Sequence, residues 1–293
     1  MTLTDNGPAI RPAERRNTLI RPGNRKLAWA EWGPVDGRPV LFFTGAGMGA
    51  SLGFGLEHLD SLRIRLIVPD RPGLGQSGPD PEKSLFSLSE DMSALLDELG
   101  VERIPAVGFS QGAVFAFAFA MTGRISRLAV VAGQDDLGRG EFAGMLPQEV
   151  RSMVETAASD PEGFMAFLEG FADAEGLYDL VLGMSSDADR EIYSTDPVGP
   201  AYRAALAEGF AQGNTGYVRD TLLALGPWPF DVAEMPVPVT LWYGEKDTSP
   251  VHAPDFGLSL SKRLPQSRRV VDPDCGSAIL WRRADEILTD LLD

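Results

Sequence analysis

The sequence predicts an α/β architecture: a mostly parallel, twisted sheet with helices on both faces and a helical cap inserted near its middle. Three observations carry that expectation. Short, almost wholly apolar runs alternate with helical patterns through the first half of the chain, as in βα units that bury a parallel sheet on both faces. One such run ends in Gly108-Phe109-Ser110-Gln111-Gly112 and continues as a helix of small and apolar residues. From residue 137 to 230 helical patterns then follow one another without a convincing strand.

Residues 1–16 are polar, lack the apolar stretch of a signal peptide and read as a disordered leader. Residues 17–20 and 26–32 are short strands joined by Arg21-Pro22-Gly23-Asn24-Arg25, a good hairpin turn. Residues 39–43 form a fully apolar strand that suits a sheet centre and lead into Thr44-Gly45-Ala46-Gly47-Met48-Gly49-Ala50-Ser51. This loop has neither the lysine nor the spacing of a phosphate-cradling loop, and it departs from the Gly-x-Gly-x-x-Gly of dinucleotide sites. What it offers is bare backbone amides for a bound oxygen. Residues 65–68 give the next strand, ending at Asp70-Arg71-Pro72-Gly73-Leu74-Gly75-Gln76-Ser77. Residues 87–99 set Leu88, Met92, Leu95, Leu96 and Leu99 at helical spacing before Gly100.

After the Ser110 strand and its helix (113–121), residues 128–132 supply another strand. The insertion holds helical patterns at 147–158, 161–174, 175–184, 200–211 and 217–225, a cap over the carboxyl ends of the strands. Residues 237–243 resume the sheet before Gly244-Glu245-Lys246-Asp247, and 268–271 form the last strand. A final helix over 279–292 aligns Leu280, Ala284, Ile287, Leu288 and Leu291. The expected organisation is a core of 17–136 and 231–293 with a cap of 137–230.

Composition narrows the function. The 293 residues, 44% hydrophobic, suit one α/β domain with an insertion. No apolar run reaches the ~18–20 residues of a membrane span. A net charge of −16 argues against nucleic acid or an anionic membrane surface as partner. One cysteine, Cys275, excludes internal disulfides and fits a cytoplasmic protein, and with two histidines it leaves little for a transition metal.

The chemistry centres on Ser110. A serine at the tip of a strand–turn–helix has strained backbone angles, so the residues two before and two after it must be small; Gly108 and Gly112 meet that need. The amide of Gln111, at the start of the new helix, then points where an oxyanion would form. The plainer alternative is a glycine-bracketed turn whose serine caps the helix.

From residue 17 onward the sequence resembles the α/β-hydrolase superfamily. The glycine loop after the third strand, Asp70-x-Pro72-Gly73-x-Gly75-x-Ser77, the Ser110 elbow, the helical cap and Gly244-x-x-Asp247 fall in family order. The resemblance implies Ser110 as nucleophile, Asp247 as the acid that orients a histidine, and the amides of Ala46 and Gln111 as oxyanion hole. Asp135 or Asp136 is the alternative acid. Thr44 stands where the family often has histidine, at little cost because the hole works through backbone amides.

The serious departure is Asp274-Cys275-Gly276-Ser277-Ala278-Ile279, where Ser277 occupies the place of the family's catalytic histidine. A serine hydroxyl cannot accept and return a proton near neutral pH as imidazole does. His252 lies five residues past Asp247, a stretch that reaches about 17 Å if extended, and is the base by default; otherwise it caps or packs at the next helix. His58 sits in a helical pattern before the fourth strand, and Cys275 reads as a buried small side chain.

The cap supplies a pocket wall rich in aromatic and thioether groups: Phe142, Met145, Met153, Phe164, Met165, Phe167, Phe171, Tyr178, Met184, Tyr193, Tyr202, Phe210 and Tyr217. With Phe43, Met48, Phe109 and Ser277 these would enclose an apolar ligand, although for each one alone packing within the cap is the simpler reading. The expected function is a serine hydrolase acting on an ester, thioester or lactone of a hydrophobic small molecule, with no metal or organic cofactor. The alternative, favoured by Ser277, is a degenerate relative that binds a small molecule or catalyses a non-hydrolytic reaction. A cap-mediated homodimer is compatible with the sequence.

Overall fold

The apolar runs pair into one eight-stranded sheet in a computed structural model that describes residues 8–292. Its strands are β1 (Arg15–Arg21), β2 (Arg25–Trp32), β3 (Arg38–Phe43), β4 (Ile64–Pro69), β5 (Ile104–Phe109), β6 (Ile125–Val131), β7 (Val239–Gly244) and β8 (Ser267–Asp272). The spatial order is β1-β2-β4-β3-β5-β6-β7-β8. The β1–β2 hairpin and the β2–β4 pair are antiparallel; every other pairing is parallel.

Alternation along the strands divides the core into two layers. Val40, Phe42, Val107 and Phe109 face the layer that holds α1 (Leu59–Leu62), α11 (Ile279–Arg282) and α12 (Ala284–Leu292). Leu41, Phe43 and Ala106 face the layer that holds α2 (Leu85–Glu98), α3 (Gly112–Ala120) and α10 (Leu258–Arg263). Strand β1 alternates half-buried and exposed residues, as an edge strand should. Because β3 lies between β4 and β5, the chain leaves β3 first to one side and later to the other. Such a reversal opens a crevice at the carboxyl ends of the two strands. Phe43 pairs with Gly108 there, which sets the loop after β3 beside the elbow after β5.

Between β6 and β7 run six further helices: α4 (Gln148–Ser159), α5 (Pro161–Glu169), α6 (Ala174–Met184), α7 (Asp187–Ser194), α8 (Val198–Gly209) and α9 (Thr215–Leu225). Part of this cap has a core of its own, with Phe142, Val150, Phe164 and Val218 at its centre. Helices α6 and α8 instead send Leu177, Tyr178, Tyr202 and Leu206 into the layer beside α12.

Three sequence expectations need correction. Residues 1–7 of the expected leader lie outside the described residues, but 8–16 are packed: Ile10 and Ala13 lie against the core and Arg15 opens β1. The buried Trp32 indole donates to the Arg11 carbonyl (3.0 Å), so this stretch supplies an acceptor the core requires. Helix α7 was not expected, because its sequence is polar apart from Ala188, Ile192 and Tyr193. The Ser186 hydroxyl accepts from the Asp189 amide at its start, and Asp189 and Tyr193 are its buried pair. The final helix is two pieces that meet at Arg283, whose Nε donates to Asp272 (2.6 Å).

Glu31, buried on β2, ties the hairpin to the sheet: it accepts from Arg65 (2.8 and 2.9 Å), Arg15 (3.0 Å) and Trp29 (2.7 Å). Burial alone would raise its pKa, yet the bonds from Arg65, Trp29 and Arg15 outweigh it and hold the carboxyl below its ordinary 4.5. Its contribution to stability is therefore present above that value and is lost as pH falls through the lower folded value. Replacing Glu31 by Ala should cost about 2–3 kcal/mol in urea unfolding at pH 7, less than a fully buried pair because both arginines reach solvent. The gap between wild type and variant should narrow as the titration is carried into acid.

Candidate active site

Ser110 sits where β5 turns into α3 with φ of +52°, the left-handed region that costs a non-glycine residue strain. The surroundings enforce it. A Cβ at Gly108 would lie 2.7 Å from Ala113 Cα, and one at Gly112 would lie 2.3 Å from the Phe43 carbonyl oxygen. The two glycines thus let α3 settle onto the ends of β3 and β5. The Ser110 amide donates to the Val131 carbonyl (3.0 Å), which anchors the turn to the neighbouring strand.

The loop after β7 brings the imidazole to this serine. The Ser249 amide donates to Asp247 Oδ1 (3.0 Å), which turns the chain back on itself. The Ala253 amide donates to the Gly133 carbonyl (3.1 Å), which pins the far end of the loop beside the end of β6. Between these ties His252 Nδ1 lies 2.7 Å from Asp247 Oδ2 and Nε2 lies 2.8 Å from Ser110 Oγ. A carboxylate only accepts, so Nδ1 carries the proton toward Asp247 and Nε2 is the acceptor for the Ser110 hydroxyl. Both side chains are almost fully buried.

The place behind the last strand is filled differently. Asp189 on α7 accepts the Ser277 amide (2.7 Å), the Ala278 amide (3.1 Å) and the Ser277 hydroxyl (3.3 Å). The Ser277 hydroxyl also lies 2.9 Å from that of Tyr193. A Cβ at Gly276 would fall 2.0 Å from the Asp189 carboxylate, so cap and core are tightly fitted at this loop. Burial, the largest influence on Asp189, raises its pKa above 3.8.

The alternative acids do other things. Asp135 binds Arg263 (2.6 Å to Oδ2), and Asp136 closes a local turn by accepting the Gly138 amide (3.2 Å). His58 stands on α1's side of the molecule near Glu57 (3.5 Å) and Asp285 (3.9 Å). Cys275 is buried, which pushes its thiol up to about 11.

A cavity of about 310 Å³ opens on Ser110 and His252. Ala46, Gln111, Phe109, Met153, Met184, Tyr193, Tyr202, Tyr217 and Ser277 line it. Phe43 and Met48 do not, which corrects the sequence reading. Alternation at the end of β3 sends Phe43 into the α3 layer, where its ring packs 6.4 Å from that of Phe119. Met48 turns into the core under its own loop, which closes when the Thr44 hydroxyl donates to the Met48 carbonyl (3.1 Å). Of the cap residues named from sequence, Phe142 and Phe164 form the cap's own core, while Met145, Phe167 and Phe171 are exposed. The sequence reading missed Leu177, Leu180 and Val181 on α6, Thr221 and Leu225 on α9, and Gln134, Val150 and Val251. The four-residue spacing of Tyr217, Thr221 and Leu225 was the available signal for a helix face turned to one cavity.

A buried charge cluster supports the glycine loop. Arg71 donates to the carbonyls of Thr44 (2.7 Å) and Gly45 (2.8 Å) and to Asp220 of α9 (2.7 Å). Lys83 also meets Asp220 and donates to the Pro72 carbonyl (2.8 Å). In a trans peptide the Gly45 carbonyl and the Ala46 N–H point opposite ways, so the guanidinium turns the Ala46 amide away from itself. Neither that amide nor the Gln111 amide donates to a backbone or side-chain acceptor among the described residues.

A model of the family described as alpha/beta hydrolase fold matches residues 38–284. The chain is 27% identical over 268 residues to the 2-hydroxy-6-oxononadienedioate/2-hydroxy-6-oxononatrienedioate hydrolase 2 of Pseudomonas putida, across 87% of this chain and 86% of that protein. It is 26% identical over 280 residues, 92% of each chain, to the magnesium-chelatase 30 kDa subunit of Rhodobacter capsulatus. A crystal structure of a bromoperoxidase from Bacillus anthracis superposes with a TM-score of 0.69 at 18% identity, covering 95% of this chain and 98% of the other, a likeness of fold.

Asp220→Ala strips from Arg71 and Lys83, both about 1% exposed, the one carboxylate that pairs with them among the described residues. Removing one member of a buried ion cluster should cost about 3–5 kcal/mol, measured by urea unfolding. A loss below about 1 kcal/mol would mean that water reaches the cluster.

Proposed function

The chain belongs to the α/β hydrolase fold family, and on that premise we propose that it is a hydrolase which cleaves an ester, thioester or lactone of a hydrophobic small molecule through Ser110. The observation that carries this reading is the relay of 2.8 Å from Ser110 Oγ to His252 Nε2 and 2.7 Å from His252 Nδ1 to Asp247. The relative from Pseudomonas putida, named as a hydrolase, supports the same class of chemistry.

As Ser110 Oγ attacks the acyl carbon, its proton passes to His252 Nε2, and Asp247 steadies the imidazolium that forms. The amides of Ala46 and Gln111 receive the oxyanion; one such donor is worth roughly 10²–10³ in turnover in other enzymes. Collapse of the tetrahedral intermediate expels the alcohol or thiol, which takes the proton from Nε2. Water then gives its proton to Nε2 as its oxygen attacks the acyl-serine, and a second collapse returns that proton to Ser110 Oγ and frees the acid. The largely apolar cavity suits an apolar acyl or ring-bearing substrate.

The alternative, a relative that binds a small molecule or catalyses a non-hydrolytic reaction, drew on Ser277 leaving the serine without a base; the 2.8 Å approach of His252 to Ser110 supports the hydrolytic reading over it.

A fluorophosphonate should label the wild type and leave Ser110→Ala unlabelled. His252→Ala should slow labelling and p-nitrophenyl ester turnover by about 10⁴–10⁶, as loss of the base does in other serine triads. Labelling that survives His252→Ala unchanged would remove this residue from the mechanism. Ser277→His should give no gain in turnover, because the serine already has its imidazole; a large gain would mean that the base belongs behind the last strand after all.

A further inference from the structure

Deep in the cavity the cap and core build a second polar group that the acyl-transfer steps leave unused. Tyr193 of α7 and Tyr202 of α8 pack side by side, ring centroids 5.2 Å apart, and both rest on Trp281 (5.7 and 6.3 Å). Tyr193 is 1% exposed and Tyr202 5%, and both line the cavity. Their hydroxyls are committed differently. Asp189 accepts from two backbone amides and from the Ser277 hydroxyl, so the Tyr193 proton is directed to Ser277 Oγ, 2.9 Å away. That leaves the Tyr193 oxygen as an acceptor toward a ligand. The Tyr202 hydroxyl has no hydrogen-bond partner among the described residues, although the neighbouring Tyr178 hydroxyl donates to the Tyr193 carbonyl (2.8 Å). An unpaired phenol hydroxyl on a cavity wall is free to donate to a bound group.

The cavity wall beside this pair carries no cationic lysine or arginine. Glu149 lines the cavity and Asp189 lies behind Ser277. Burial raises both phenols well above the ordinary tyrosine range, so they act as neutral donors and acceptors.

We propose that Tyr193 and Tyr202 form a subsite for an uncharged hydroxyl group on the buried part of the substrate, accepting from it at Tyr193 and donating to it at Tyr202. The substrate class is then a hydroxylated, otherwise apolar ester, thioester or lactone. A carboxylate at this position would meet the Tyr193 lone pairs and the Asp189 carboxyl with no lysine or arginine among the lining residues to balance it. The proposal rests on the cavity being the substrate site of the proposed hydrolase.

Binding to Ser110→Ala tests it without turnover. Two matched series serve as probes: hexyl, 6-hydroxyhexyl and 5-carboxypentyl butyrate, and ethyl hexanoate, ethyl 6-hydroxyhexanoate and the monoethyl ester of adipic acid. In at least one series the hydroxylated ester should bind tenfold or more tighter than the plain one, and the carboxylated ester tenfold or more weaker. Tyr202→Phe, which keeps the ring, should reduce the ratio of hydroxylated to plain affinity by about tenfold. Equal binding within both series, tightest binding of a carboxylated ester, or a hydroxyl preference that survives Tyr202→Phe would overturn the proposal. Fluorophosphonate labelling of the wild type reads the hydrolase assignment separately. Labelling without selectivity sinks the subsite alone, whereas selective binding without labelling sinks the hydrolase and leaves the subsite.

Discussion

The architecture around the cavity depends on one strained residue. Ser110 holds a left-handed backbone at the end of a buried parallel strand, and the cost of that conformation is offset by what packs around it. Every residue of α3 is buried, and Gly108 and Gly112 let that helix approach the sheet closely enough to lock the turn. The pairing of Phe43 with Gly108 then brings the glycine loop alongside. Serine hydroxyl, helix N-terminus and loop amides are therefore placed together by the packing of α3 on the sheet and by the pairing of β3 with β5.

The rest of the site is held by polar ties between core and cap. Arg71 and Lys83 from the core meet Asp220 from α9, fixing the Gly45 peptide and with it the direction of the Ala46 amide. Asp189 from α7 grips the Ser277 and Ala278 amides on the opposite side. Buried charges of this kind contribute little net stability compared with apolar packing, but they define one arrangement, because any other leaves an ion unpaired in the interior. Further ties join the same segments, among them Gln212 to the Gly75 and Ser77 carbonyls and Gln134 to the Ala224 carbonyl.

How much of this is legible in the sequence follows from how local each feature is. The elbow is local: a strand, two glycines and a small-residue helix state the geometry of Ser110 within a dozen residues. The alternation of runs gives the sheet for the same reason. His252 is not local in this sense. Five residues of chain allow it to reach Ser110, but its arrival depends on the Ala253–Gly133 hydrogen bond, a contact between segments far apart in sequence. Phe43 and Met48 were misplaced because a strand's last side chain and a loop's methionine go to whichever layer needs filling, and periodicity does not say which side is open. Helix α7 escaped because its purpose is polar: Asp189 and Tyr193 are the residues it buries.

The central claim is that His252 takes the Ser110 proton, and chemical rescue tests it most directly. In His252→Gly, added imidazole should restore p-nitrophenyl ester turnover in proportion to its concentration, and should restore nothing when Ser110→Ala is combined with it. Turnover in His252→Gly equal to that of the wild type, or a deficit that imidazole leaves untouched while the variant stays folded, would contradict the account.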